Sequence, residues 1–152
     1  MSAPGRFAAL SWRERLLLFR AFWHLVKATI AVRVLPYSML RARIQTDPIC
    51  PVPSLAQVTA ERVAWAIEGV AQRLPGMSCL IKALAGRSLL ARYGYRATLQ
   101  IGVMKDAERQ FAAHAWLEQG GRVLLGGSGA QLEYAVLGVR APDKQIRNRD
   151  LT

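Results

Sequence analysis

One cysteine and one histidine, on separate predicted elements, could carry chemistry in this chain. In "MSCLIKALAGRSLLARYGY", Ser78 is typical of a helix N-cap and Gly94 of a helix terminator, so Cys79 falls in the first turn of a predicted helix. Backbone N–H groups and the helix dipole at such a position favour a thiolate. A nucleophilic thiol also needs a base, and His114 is the one histidine outside the N-terminal helix.

The segment "FAAHAWLEQ" alternates along its length and predicts a strand. Alternation places His114, Trp116 and Glu118 on one face of that strand. A helix N-terminus facing the middle strand of a sheet would bring the imidazole to the Cys79 thiol, which would explain a histidine in so apolar a strand. Composition alone also allows a structural interpretation, in which Cys79 is a small core hydrophobe and His114 a satisfied core histidine.

Local signals predict several helices followed by an antiparallel meander, which is an α+β fold. A capping box of Ser11 and Glu14 opens a long helix that Pro36 ends, and further helices are expected over 58–74 and from Ser78 onward. Strands are expected over 96–104, 110–119 and 122–127, with 131–138 as a fourth candidate. Two glycines at 120 and 121 are typical of a two-residue hairpin turn.

The chain divides by composition into three parts. Residues 1–55 are expected to form an amphipathic helix and a proline-rich linker over 41–55, residues 56–140 the core, and 141–152 a charged tail. Charged residues interrupt the first helix, so it is predicted to be amphipathic and not membrane-spanning. Four basic or titratable residues share one stripe of that helix, which is either a solvated face or a docking surface for a membrane or partner: Arg13, Arg20, His24 and Lys27.

The composition of the chain limits the kinds of partner it could bind and the cellular compartment in which it is expected. The 152 residues, 52% hydrophobic, fit one globular domain, and the net charge of +11 predicts attraction to something acidic. Cys50, in the linker, and Cys79 have no paired spacing, and no secretory signal is evident, so a cytoplasmic protein with reduced thiols is expected. No metal-ligand or phosphate-loop spacing occurs, so neither a metal nor a cofactor is expected. The 8% aromatic content and the lack of a recognised motif argue against nucleic acid.

Two stretches, "CLIKALAGRSLLARYGYRATLQIGV" and "FAAHAWLEQGGRVL", resemble the papain-like, transglutaminase-fold leader peptidases of lasso peptide biosynthesis. The resemblance covers about residues 60–138, and the N-terminal helix resembles that of the form in which the peptidase is a separate chain. It implies that Cys79 is the nucleophile and His114 the base in removal of a leader from a precursor peptide. It further implies two partners, a separate leader-recognition protein and a lasso cyclase.

The sequence departs from that family at the third catalytic residue. The family usually has an Asp on the strand after the histidine, where this chain has Gly126, and an uninterrupted register from the two-residue turn would set Gly127 opposite His114. Neither glycine can offer a carboxylate. The group that orients the imidazole is therefore expected to be one of three, with the first slightly favoured: Glu118, Glu133 or a backbone carbonyl.

An oxyanion hole would use the Cys79 backbone N–H and one further donor, for which Gln72 and Ser78 are candidates. The alternative to a peptidase is a noncatalytic basic module that binds nucleic acid or a membrane surface, with its charge as its function.

Overall fold

The structure is a computed structural model that describes residues 10–45, 58–105, 111–127 and 135–136. Its strands form one antiparallel sheet in the order β3-β2-β1-β4. The predicted α+β order of helices followed by an antiparallel sheet is confirmed. The elements are α1 (Trp12–Val34), α2 (Tyr37–Gln45), α3 (Ala60–Ala71), α4 (Cys79–Arg92), β1 (Thr98–Lys105), β2 (Phe111–Gln119), β3 (Arg122–Leu125) and β4 (Ala135–Val136).

Side-chain caps fix where the helices begin. At α1 the predicted capping box is present, because Ser11 accepts from the Glu14 N–H while the Glu14 carboxylate accepts from the Ser11 N–H. Thr59 and Ser78 accept in the same way at the starts of α3 and α4. Each cap satisfies a backbone donor that has no partner inside its helix.

Helix α1 packs antiparallel on α4. Three side-chain contacts show this orientation: Thr29 with Met77 just before α4, His24 with Ser88, and Arg20 with the Tyr93 hydroxyl, to which it donates. Later residues of α1 therefore contact earlier residues of α4, and earlier residues contact later ones. The buried apolar side chains of α1 are Leu17, Ala21, Leu25 and Ala28.

The predicted basic stripe of α1 is therefore not a uniformly solvated face. His24 is buried against α4 and Arg20 is half-buried. Only Arg13 and Lys27 of the four are exposed. Helical periodicity located the stripe, but the orientation of α1 on α4 turned part of it inward.

Residues 41–45, assigned to a linker from the sequence, belong to α2. The apolar side chains of Leu40 and Ile44 are buried in the core. The buried Arg87 of α4 donates from Nη1 to the backbone carbonyls of Arg43 and Ile44, which closes the end of α2. The remainder of the linker, with Cys50, lies outside the described residues.

In the sheet, the β2–β3 turn has positive φ at both glycines, 57° at Gly120 and 78° at Gly121, as a two-residue hairpin requires. A bulge between Leu117 and Glu118 then shifts the register, since Leu117 pairs with Leu125 while Glu118 pairs with Val123. The uninterrupted register expected from the turn, with Gly127 opposite His114, is wrong for this reason.

None of the described helices is both long and apolar enough to span a bilayer. The predicted charged tail over 141–152 and the candidate Glu133 fall outside the described residues, and the three-part division of the chain stays a prediction.

Candidate active site

Cys79 is the first residue of α4, directly after the N-cap Ser78. The Ser78 hydroxyl accepts from the Ile81 N–H at 3.3 Å, and the Lys82 N–H bonds to the Ser78 carbonyl. The Cys79 side chain is half-buried against the helical core, and its thiol is free of any disulfide. The predicted placement of this cysteine in the first turn of a helix is confirmed.

An ion pair holds this first turn against α3. Lys82 Nζ lies 3.3 Å from both carboxylate oxygens of Glu68, and both side chains are partly buried. The pair fixes where the N-terminus of α4 sits relative to α3, which is the positioning that a nucleophile at that turn needs.

His114 is held by a backbone group. Its Nε2 lies 2.7 Å from the carbonyl oxygen of Gly126, just after β3. A carbonyl oxygen only accepts, so Nε2 must carry the hydrogen. In the neutral ring the lone pair is then on Nδ1, which defines the tautomer in which Nδ1 acts as the base.

Gly126 has the backbone conformation and surroundings that only glycine tolerates. Its φ is 78°, and a Cβ added there would lie 2.8 Å from the Ala115 carbonyl oxygen and 3.2 Å from Trp116 Cα. The residue that stands where the resemblance expects an Asp is thus a glycine for steric reasons. Its carbonyl contacts the ring that an Asp side chain would contact.

Glu118 contacts a different group. Its Oε1 accepts from Trp116 Nε1 at 2.7 Å, and the Trp116 ring stacks beside His114 with centroids 6.1 Å apart and planes 21° apart. Trp116 is only 2% exposed. The carboxylate slightly favoured from the sequence therefore bonds to the indole beside the imidazole, and a direct role for it on the ring stays a prediction.

The two faces of β2 have different neighbours. Ala115 and Leu117 are part of the helical core, and a Cβ added at Gly86 of α4 would lie 2.9 Å from Leu117. By alternation His114 lies on the other face with Trp116 and Glu118, while Cys79 packs against the helical core. The structure therefore does not place the thiol and the imidazole on the same face of β2, as the sequence led us to expect, and their pairing stays a prediction. Ala113, the neighbour of His114 toward the strand's start, is exposed.

The oxyanion candidates lie at the ends of helices. Ser78 is the N-cap of α4, and Gln72 is the exposed C-cap residue of α3. The roles of both stay predictions.

One cavity in the described part lies between α1, α2 and α4, and neither Cys79 nor His114 lines it. Its volume is about 430 Å³, and its lining includes His24, Lys27, Arg43 and Arg87. Burial, followed by repulsion from Lys27 and Arg92, lowers the pKa of His24 to about 4. His24 is therefore neutral near pH 7 and gives this cavity no acid at that pH.

Within the described residues, no group of three His, Cys, Asp or Glu side chains could hold a metal ion. A family model described as the transglutaminase-like superfamily matches residues 22–139. No curated protein and no solved structure matches the chain.

Proposed function

Because this chain belongs to the transglutaminase-like superfamily, which includes cysteine proteases and transglutaminases, we propose that it is a cysteine peptidase that removes the leader from a lasso peptide precursor. The observation that carries the proposal is the hydrogen bond from His114 Nε2 to the Gly126 carbonyl, which supplies an oriented base without a carboxylate. The sequence resemblance of the Cys79 and His114 segments supports the leader as the substrate.

In the proposed mechanism, His114 Nδ1 takes the proton of the Cys79 thiol, and Sγ attacks the carbonyl carbon of the scissile bond. The imidazolium then gives its proton to the leaving amine, which is the new N-terminus of the core peptide. Water attacks the resulting thioester and releases the leader with a free carboxylate. The Gly126 carbonyl keeps the ring in the reactive orientation through both proton transfers.

Cys79 and His114 lie on opposite faces of β2, so the pairing depends on the level of each group along the contact between α4 and β2. Gly86 packs against Leu117, and the seven residues from Gly86 back to Cys79 span about 10 Å of helix. The three residues from Leu117 back to His114 span about 10 Å of strand. Because α4 leads into β1 through a short connection and β1 is antiparallel to β2, we infer that α4 runs in the direction of β2, which would set the thiol level with the imidazole. The proposal requires the two groups to meet around the start of β2, where Ala113 is small and exposed.

The proposed partners are the precursor peptide, a separate leader-recognition protein and a lasso cyclase that closes the macrolactam. A cytoplasmic location belongs to the same proposal. A transglutaminase would instead form its thioester from a glutamine side-chain amide, with ammonia as the leaving group, and would transfer the acyl group to an amine instead of water. The leaving group and acceptor therefore distinguish the two activities.

The test is to incubate the full chain with a lasso precursor peptide, with and without the recognition protein, and to identify the products by mass. Cleavage to a leader with a free carboxylate is expected, and it should be lost in Cys79→Ala and in His114→Ala. Cys50→Ala is the matched control and should cleave like wild type. Wild-type cleavage by Cys79→Ala would overturn the peptidase assignment, and transfer to an added amine without hydrolysis would indicate a transglutaminase.

Alkylation separates the peptidase from a noncatalytic basic module. Iodoacetamide should modify Cys79 near neutral pH much faster than Cys50, because a paired imidazole stabilises the thiolate. His114→Ala should slow alkylation of Cys79 but leave that of Cys50 unchanged. Equal, slow labelling of both cysteines in wild type would favour the noncatalytic module.

A further inference from the structure

Large exposed apolar side chains are concentrated on the first two helices. Of ten such residues in the described part of the chain, only Trp65 lies elsewhere. The other nine are Trp12, Leu16, Phe19, Phe22, Trp23, Ile30, Val34, Tyr37 and Met39. Single exposed apolar residues are ordinary on protein surfaces, but a contiguous set of aromatic and aliphatic side chains marks an interaction surface.

Six of these residues lie along one side of α1. At about 100° per residue, their positions project within a sector of roughly 60° on the side of α1 opposite its buried face. We call this set the outer stripe: Trp12, Leu16, Phe19, Trp23, Ile30 and Val34. The 23 residues of α1 make it about 35 Å long. Helix α1 is thus apolar on two faces, and only one of them is used by the core.

Basic side chains border the outer stripe on both sides. Exposed Arg15 and Arg33 lie on one flank, and exposed Lys27 lies on the other, where its Nζ is 5.6 Å from the centroid of the Trp23 ring. The single acidic residue of α1 and α2 is Glu14, which bonds to Ser11 and pairs with Arg62. The surface around the stripe is therefore apolar along its middle and positive along its edges.

We propose that the outer stripe docks on an anionic lipid bilayer surface, with α1 lying in the interfacial plane. In that position the Trp and Phe rings enter the boundary between headgroups and acyl chains, and the flanking Arg and Lys side chains meet lipid phosphates. The combination supplies both the apolar and the polybasic signals that interfacial binding requires. Such docking needs no spanning helix.

The charge of the chain argues against a second copy of the chain binding to the outer stripe. Pairing two outer stripes would bring the Arg and Lys flanks of one +11 chain against those of another. An anionic bilayer neutralises both flanks at once and offers a plane as long as the whole stripe. The docking does not depend on peptidase activity, because it uses none of the residues proposed to act in cleavage.

The experiment is sedimentation of the full chain with vesicles of phosphatidylcholine alone and of phosphatidylcholine mixed with phosphatidylglycerol. Wild type should bind the mixed vesicles, release at high salt and bind the neutral vesicles only weakly. Quenching by brominated lipids should reduce tryptophan fluorescence in the bound state, and Trp12→Phe/Trp23→Phe should lose most of that quenching. An unbound wild-type protein at low salt would overturn the proposal and leave an acidic protein as the occupant.

The matched variants test the stripe itself. Phe19 is 66% exposed and Trp23 51%, so Phe19→Asn/Trp23→Asn should keep the fold, seen by circular dichroism, and lower vesicle affinity by about tenfold or more. Lys27→Gln and Arg33→Gln should each lower it about fivefold. Trp65→Asn, at a 42% exposed tryptophan on α3, should bind like wild type. Equal loss in Trp65→Asn, or no loss in the Phe19/Trp23 variant, would contradict the proposal.

Discussion

The imidazole of His114 and the backbone carbonyl of Gly126 are joined by a 2.7 Å hydrogen bond. A main-chain group contacts the ring at the position where the sequence resemblance expects a carboxylate. A neutral carbonyl fixes the tautomer as a carboxylate would, but it offers less stabilisation to the imidazolium because it carries no full charge. The site is thus built for orientation more than for charge stabilisation.

In Gly126→Ala, a Cβ at φ 78° would press on the Ala115 carbonyl and on Trp116, so the fold should lose about 1–3 kcal/mol of stability. The same displacement should move the carbonyl that holds His114, and precursor cleavage should fall by at least about tenfold. Gly121→Ala is the matched control, since its φ is also 78° and no atom lies within 4 Å of the added Cβ. Gly121→Ala should lose stability through backbone strain alone and should cleave the precursor at the wild-type rate. Initial cleavage rates and thermal unfolding of both variants measure the difference, and equal rates would show that the contact with His114 is not needed.

Glu118→Gln should leave the rate within about threefold of wild type and the pH–rate profile unshifted, because Glu118 bonds to the Trp116 indole and a Gln oxygen can still accept that bond. Loss of a carboxylate that holds the ring directly would instead cost about 10⁴-fold. The same profile for Glu133→Gln tests the other candidate. A collapse of activity in either variant would assign that carboxylate to the imidazole.

Glu118→Ala removes the acceptor from the buried Trp116 Nε1 and should cost about 1 kcal/mol of stability. Urea unfolding of the Ala and Gln variants side by side measures that cost. Stability equal to wild type in Glu118→Ala would mean that the indole bond contributes nothing to the fold.

Gly86→Ala should destabilise the protein by about 1–3 kcal/mol, because the new methyl would lie 2.9 Å from both Leu117 Cδ1 and Leu125 Cδ2 and would push α4 away from the sheet. Gly69→Ala in α3 is the control, with its nearest contact at an ordinary 3.8 Å, and should stabilise by about 0.5–1 kcal/mol. Thermal melts of the two variants give opposite shifts if α4 packs this closely. Equal shifts of the same sign would refute the close approach.

Stability should fall as the pH drops from about 6.5 to about 4, because burial holds the pKa of His24 at about 4 while the unfolded chain keeps the ordinary value of 6.5. Between pH 6.5 and 4 the unfolded chain protonates His24 while the folded protein does not. The free energy of unfolding is therefore highest above pH 6.5 and decreases as the pH falls through this range. The loss should amount to roughly 1–3 kcal/mol. Urea unfolding of wild type and His24→Gln across this range checks it, and parallel pH curves would show that His24 does not titrate differently on folding.

The sequence by itself determined the elements and their ends. The capping box at Ser11, the N-cap Ser78 and the two glycines of the β2–β3 turn each act through contacts within a few residues, so the chain specifies them wherever it folds. The position of Cys79 in a first turn and the alternation around His114 are local in the same sense. These signals were sufficient for the α+β order and for the residues proposed to act.

Tertiary packing decided which residues of those elements contact each other. The antiparallel packing of α1 on α4 buries His24. Arg87 of α4 binds the end of α2, whose residues 41–45 were expected from the sequence to belong to a linker. The bulge between β2 and β3 overrode the simple hairpin register, and the carbonyl of Gly126 contacts His114. Each outcome joins residues distant in sequence, and depends on how layers of side chains fill space, which no short-range pattern encodes.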